Sequence, residues 1–143
     1  MNEITILTVP VFSTLCNAAF NLRREVFVIE QNVPQEEELD AEDFTAIHMV
    51  AIADGEVVGT LRLLTKPEHI KIGRVAVRRD QRGKGIAKAM IVKAMRAMAE
   101  QTGNRFYLTS QTHAVGLYEK LGFVAYGEEF LDAGIPHLAM KNY

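Results

Sequence analysis

Cysteine is nearly absent: Cys16 is the only one in the chain. No internal disulfide can form, which suits the cytoplasm. Cys16 itself reads as a small helix hydrophobe rather than a nucleophile. Charge of one sign is also lacking, since 16 Lys and Arg face 18 Asp and Glu for a net of −2. That balance gives no general support for nucleic-acid binding. No apolar run approaches the ~20 residues of a membrane span, so no membrane partner is expected. The opening Met1-Asn-Glu-Ile-Thr-Ile6 lacks the basic-then-apolar order of a secretory signal. The histidines at 48, 69, 113 and 137 show no metal-ligand spacing, so no metal is assigned. What remains, in 143 residues, is an ordinary globular composition and room for one domain spanning 1–143.

Against those absences one stretch stands out, Val75-Ala-Val-Arg-Arg-Asp-Gln-Arg-Gly-Lys-Gly-Ile-Ala87. A β-branched strand ends, a basic turn with two glycines follows, and an amphipathic helix begins. The unpaired N–H groups at such a helix start, with the helix dipole, suit a phosphate or pyrophosphate. Glycine at 83 and 85 lets an anion approach the backbone. A dinucleotide fingerprint fails because its third glycine is replaced by Lys88. A Walker loop fails because Ile86 and Ala87 follow Gly85. The bland alternative is an ordinary strand–turn–helix connection.

Periodicity supplies the frame. Ile4 to Val9 alternates as a strand, and Leu15, Ala18, Ala19, Leu22, Val26 and Ile29 mark one helix running to about Gln31. Pro34 stops it, and an acidic loop or single short turn fills 35–43. Strands 47–53 and 57–64 flank Asp54-Gly55, a hairpin signal. A further strand covers 69–77. The helix after the glycine turn buries Ile86, Met90, Ile91, Ala94 and Met98, and Gly103 closes it. Then come a strand at 106–109, a short helix over 114–121, and strands at 123–126 and 137–141 around a connection at 127–136. The order βαβββαβαββ predicts an α/β protein with a mixed sheet and helices on both faces.

That order, the loop Arg82-Gly-Lys-Gly-Ile-Ala87 and the segment Ala114-Val-Gly-Leu-Tyr-Glu-Lys-Leu-Gly-Phe123 together resemble the GNAT N-acyltransferase superfamily. The loop matches that family's Arg/Gln-x-x-Gly-x-Gly/Ala pattern, and the segment matches A-x-x-x-Y-x-x-x-G-F. Arg23 to Pro34, the acidic stretch through Asp40, and Leu131-Asp-Ala-Gly-Ile-Pro-His137 are similar to the ElaA/YjcF-like branch. The resemblance implies a twisted, mostly antiparallel sheet of six to seven strands. It implies transfer of an acetyl group from acetyl-CoA directly to an amine, in first place a primary amine of a small molecule. Acetylation of a protein or peptide, and a catalytically weak acyl-CoA sensor, are the alternatives. GNAT domains are often dimers, so a homodimer is also implied.

The resemblance distributes the chemistry as follows. Backbone groups of Val75, Ala76 and Val77 would hold the pantetheine arm. Amides of Arg82, Gly83, Lys84, Gly85, Ile86 and Ala87 would hold the pyrophosphate, with Lys88 and Gln111 as further cofactor contacts. Arg78, Arg79, Lys84 and Lys88 either add positive charge near the phosphates or serve as exposed solubilising charge. Tyr118, a phenol protonated at neutral pH, would donate to the leaving thiolate. The glutamate that many relatives carry four residues before the final strand valine is Gly73 here. Glu30, Asp43, His48 or a water chain remain as base candidates. Arg23, Arg24 and Glu30 are substrate candidates, although one of the two arginines could instead pair with the carboxylates that follow. The carboxylates between Glu30 and Asp43 form either a solvated loop or a cleft edge that attracts a cationic amine.

Overall fold

The computed structural model describes residues 3–143; Met1 and Asn2, the start of the stretch read for a signal, lie outside the described residues. Strand β1 (Thr5–Val9) leads to helix α1 (Thr14–Arg23), whose first turn is capped by Ser13 Oγ accepting from the Cys16 N–H at 3.2 Å. The helix continues as a π-helical stretch over Arg24–Glu30. The single helix expected to Gln31 is therefore present, with its second half wound wider. Its buried face is Cys16, Ala19, Leu22, Arg23 and Val26, while Leu15 and Ile29 are exposed. The expected stripe is kept at Ala19, Leu22 and Val26, but Arg23, polar by type, occupies a core position and Leu15 and Ile29 fall outside.

The acidic stretch expected as a loop or single short turn holds two short turns, helix α2 (Gln35–Glu38) and a 3-10 turn over Ala41–Phe44. Asp40 and Asp43 close that turn as a capping box. Strands β2 (Ile47–Ala53) and β3 (Glu56–Thr65) meet at Asp54-Gly55, whose φ values of 52° and 76° fit a type I′ turn. Next come β4 (Ile70–Val77), α3 (Ile86–Thr102), β5 (Phe106–Gln111) and α4 (Val115–Glu119). Strands β6 (Val124–Asp132) and β7 (Ile135–Lys141) correct the expectation of a long connection at 127–136. They form a continuous hairpin with a two-residue turn at Ala133-Gly134, φ 51° and 78°.

The seven strands lie in the order β1-β2-β3-β4-β5-β7-β6. Every pairing is antiparallel except β4 with β5. The two long helices cover opposite faces. Ile86, Met90, Ile91, Ala94 and Met98 of α3 pack on Met49, Leu61, Leu63 and Ile72. Cys16 and Ala19 of α1 pack on Val50, and Leu22 and Val26 on Ala76. Each large side chain so buried contributes about 1.5–3 kcal/mol. The start of α3 is pressed onto β3 at Gly59, where a Cβ would lie 2.9 Å from Met90 Cε and 3.1 Å from Ile86 Cγ2.

Two irregularities make the site. Strands β4 and β5 pair only at Ile70↔Phe106 and Lys71↔Tyr107, then part. The facing edges of residues 72–77 and 108–111 therefore have no strand partner on that side. A bulge in β4 sets Arg74 and Val75 against Leu61 alone, because Thr60 pairs with Ala76 and Arg62 with Gly73. Arg74 takes φ 52°, a conformation that costs a non-glycine residue about 1–2 kcal/mol. The bulge swings its guanidinium toward α2.

Candidate active site

The gap between β4 and β5 is the floor of a cleft of about 430 Å³. Its walls come from residues 72–77 of β4, 108–111 of β5, Val26, Phe27 and Gln31 at the end of the first helix, and Leu117 and Tyr118 of α4. The β6–β7 hairpin adds Ala133, Ile135 and His137. Gln111 Nε2 donates to Gln31 Oε1 at 2.8 Å, so the end of β5 is tied to the end of the first helical run.

The glycine loop lies at one end of this cleft, since Arg82 and Ala87 both line it. Gly83 and Gly85 have φ of 78° and 79°. A Cβ at either would meet nothing within 4 Å, so the left-handed backbone, not crowding, requires glycine there. Gly85 caps α3 without a side chain, and the first turn holds no acidic residue. The Ala89 N–H already bonds the Gly85 carbonyl at 3.0 Å, which leaves the N–H groups of Ile86, Ala87 and Lys88 without an intrahelical acceptor. Such a helix start favours an anion. Arg82 Nε donates to the Val77 carbonyl at 2.9 Å, and its two terminal nitrogens each reach Glu30 at 3.0 Å. Arg78 is held by Glu56 and Asp80, and Lys84 by Gln81.

Tyr118 is 8% exposed and sits edge-on to Phe123 at 6.2 Å between centroids. Burial pushes its hydroxyl up to about 12, so the proton stays on throughout the neutral range. Its hydroxyl makes no hydrogen bond to any described residue. The result is a protonated donor on the cleft wall.

The acidic segment divides: Glu36, Glu37 and Glu42 are exposed, Glu37 edges the cleft, and Glu38 and Asp43 are buried in ion pairs. Arg23, 1% exposed, donates to Glu38 at 2.6 Å and to Asp43 at 2.8 Å. Arg62 reaches Asp40 at 2.7 Å and Asp43 at 2.9 Å. Arg74 reaches Asp40 at 3.3 Å and donates from Nε to the Glu38 carbonyl at 3.1 Å. The network fastens α2 and the 3-10 turn to β3 and β4. Burial pushes the Asp43 carboxyl up, but hydrogen bonds and charge from Arg23, with further bonds from the Asp40 amide and Arg62, outweigh it and hold it well below the usual carboxylate range.

These contacts revise several expectations. Arg23 cannot reach a ligand, because two buried carboxylates occupy it. Asp43 does not line the cleft, and its depressed proton affinity makes it a poor base. His48 is buried on the α1 side, donating from Nε2 to the Asp43 carbonyl at 2.8 Å and edge-on to Phe20. Glu30 is the partner of Arg82, and neither Glu30 nor Arg24 lines the cleft. Ile86 is a core side chain that offers only its backbone. By contrast Val75, Ala76, Val77, Arg82, Ala87, Gln111 and Tyr118 share one cavity.

The residue that the sequence reading passed over is His137. It is 9% exposed, stacked on Phe130 at 5.9 Å, and lines the cleft. Its Nδ1 lies 2.7 Å from the Ile135 carbonyl. A carbonyl only accepts, so Nδ1 carries a proton, and in the neutral ring Nε2 holds the lone pair. Nε2 has no protein partner, and it is not sealed off, since the one buried unpaired side-chain atom among the described residues is Arg62 Nε. The signal for it lay in the segment 131–137, which carried a family likeness but no assigned chemistry.

A family model described as an acetyltransferase (GNAT) domain matches residues 13–143. The chain belongs to the GNAT acetyltransferase family. It is 43% identical over 126 residues to the uncharacterized N-acetyltransferase YjcF of Bacillus subtilis (strain 168), covering 87% of this chain and 89% of that one. An acyl-CoA N-acyltransferase from Pseudomonas aeruginosa superposes with a TM-score of 0.85 at 32% identity, over 100% of both chains. Escherichia coli ElaA superposes with a TM-score of 0.86 at 29% identity, again over 100% of both. The protein is thus an enzyme of the GNAT acyltransferase type, with the sheet and helices of that fold. No described helix is long and apolar enough to cross a membrane.

Proposed function

We propose that this GNAT enzyme transfers an acetyl group from acetyl-CoA directly to a primary amine of a small molecule. The observation that carries the reading is the parting of β4 from β5 beside Tyr118. An extended pantetheine arm fits the unpaired β4 edge at Val75–Val77, and the pyrophosphate fits the uncapped start of α3. The bound thioester supplies the activated acetyl group; the protein supplies placement and proton traffic.

His137 Nε2 takes one proton from the incoming ammonium, which frees the nitrogen lone pair. That nitrogen attacks the thioester carbonyl carbon; the C–N bond forms and the C–S bond breaks. Tyr118 gives its proton to the departing thiolate and recovers the second proton from the new amide nitrogen. One proton then leaves His137 for solvent, so the sum is amide, thiol and one proton. His137 thereby does the work of the strand glutamate missing at Gly73.

A small acceptor is favoured over a protein because the acidic segment is bolted down by Arg23, Arg62 and Arg74 on the side where a peptide groove would have to open. A thiol-release assay over small amines and peptides, with product mass measured, tests the proposal. Acceptor-dependent release with N-acetylated small amines supports it; release with peptides alone would move it to the protein-directed alternative. Tight acetyl-CoA binding with no acceptor-dependent release would make the protein a sensor.

A further inference from the structure

We infer that the inner end of the cleft is an anion subsite centred on the Lys71 ammonium, and that the acceptor amine carries a carboxylate, as an amino acid does. The inference rests on the acetyltransferase reading above. Lys71 forms the last β4–β5 pair, opposite Tyr107, so it stands at the apex where the strands part, and it lines the cleft. It is half-buried, yet no ion pair or hydrogen bond links its ammonium to any described residue.

The buried and network carboxylates near it are matched. Glu38 and Asp43 are held by Arg23, Asp40 by Arg62 and Arg74, and Glu42 by Lys66. Lys71 is the cation left over from that group. Burial pushes its proton affinity down; Glu42 works against this, while Arg62, Lys66 and Arg74 add to it. An unpaired, partly desolvated ammonium is unfavourable unless a partner arrives. Glu37 and Asp132 also line the cleft, but both are exposed, where solvent screens them.

There is room for the partner. Gly73 projects to the same face as Lys71, two residues along the strand. A Cβ at Gly73 would meet nothing within 4 Å. On the same face Arg62, paired with Gly73, lines the cleft and keeps a buried Nε–H that has no acceptor. A carboxylate entering here meets a positive wall in a sheltered site, where charge-assisted hydrogen bonds are strong.

The test compares amino acids with their own carboxamides as acceptors in the thiol-release assay, after equal acetyl-CoA affinity has shown that each variant is folded. In the wild type the acid member should exceed its carboxamide in kcat/KM by about tenfold or more. Lys71→Met should bring that ratio to about one, and Lys71→Arg should keep it above one. A wild type that favours the carboxamide, or a Lys71→Met that loses both members equally, overturns the subsite. If the wild type acetylates no amine at all, the acetyltransferase reading has failed. Calorimetric binding of an N-acetyl amino acid against its amide then decides the subsite by itself. Tighter binding of the acid that Lys71→Met abolishes supports it, and equal binding overturns it.

Discussion

Arg82 faces Glu30 through two nitrogen–oxygen contacts of 3.0 Å while its Nε holds the Val77 carbonyl. One side chain thus joins the π-helical end of the first helix, the last residue of β4 and the first residue of the glycine loop. The arrangement fixes the loop against the open strand edge, which is the geometry an extended, phosphate-ended donor requires.

Arg82→Met should therefore weaken acetyl-CoA binding about tenfold or more, because it removes both a cation and the tie between loop and strand. Glu30→Gln should change the affinity by about fivefold at most, since a partly exposed ion pair is worth about 0–1 kcal/mol. Calorimetric titration of both variants checks the contrast.

His137→Gln should lower kcat by about a hundredfold with strongly basic amines, the range typical of a lost general base. Amines of low basicity, which reach the site already neutral, should lose much less. Added imidazole should restore part of the rate. Equal loss across the amine series, with no rescue, would make His137 merely a packing partner of Phe130.

Arg23→Met should destabilise the protein by about 3–5 kcal/mol in urea unfolding, because it strands the carboxylates of Glu38 and Asp43 in the interior. Acetyl-CoA binding by the folded fraction should persist.

Acid should undo the same network. The Asp43 carboxyl is held below its unfolded value of about 3.9, so its contribution is complete above that pH and is lost as pH falls toward the depressed native value. Stability measured by urea midpoints should drop steeply below about pH 4 in the wild type. In Asp43→Asn, already weaker at neutral pH, the drop should be shallower.

The helix after the glycine loop was legible because Ile86, Met90, Ile91, Ala94 and Met98 repeat at helical spacing and all are buried. The β2–β3 hairpin was legible through Asp54-Gly55. The β6–β7 hairpin was not, since β6 is an edge strand whose residues are mostly exposed, so no alternation marks it. Gly127 and Pro136 read as loop punctuation there, and the turn at Ala133-Gly134 lacks the usual Asn or Asp. The first helix was read correctly at Ala19, Leu22 and Val26 but without Arg23, because type alone cannot reveal that Arg23 is buried by carboxylates 15 and 20 residues away. The same long-range pairing hid the fate of Asp43 and His48. Loop and Tyr118 were legible as a pair because both are local motifs; His137 becomes visible only when β7 folds beside β5 and turns it into the cleft.

The most direct test of the central account is steady-state thiol release by Tyr118→Phe beside the wild type, with acetyl-CoA affinity measured on both. The cleft described here predicts acceptor-dependent release by the wild type, a kcat about tenfold or more lower in the variant, and matching affinities for acetyl-CoA. A variant that turns over at the wild-type rate would contradict the assignment of the leaving-group proton to Tyr118 and, with it, the placement of the thioester in the β4–β5 gap.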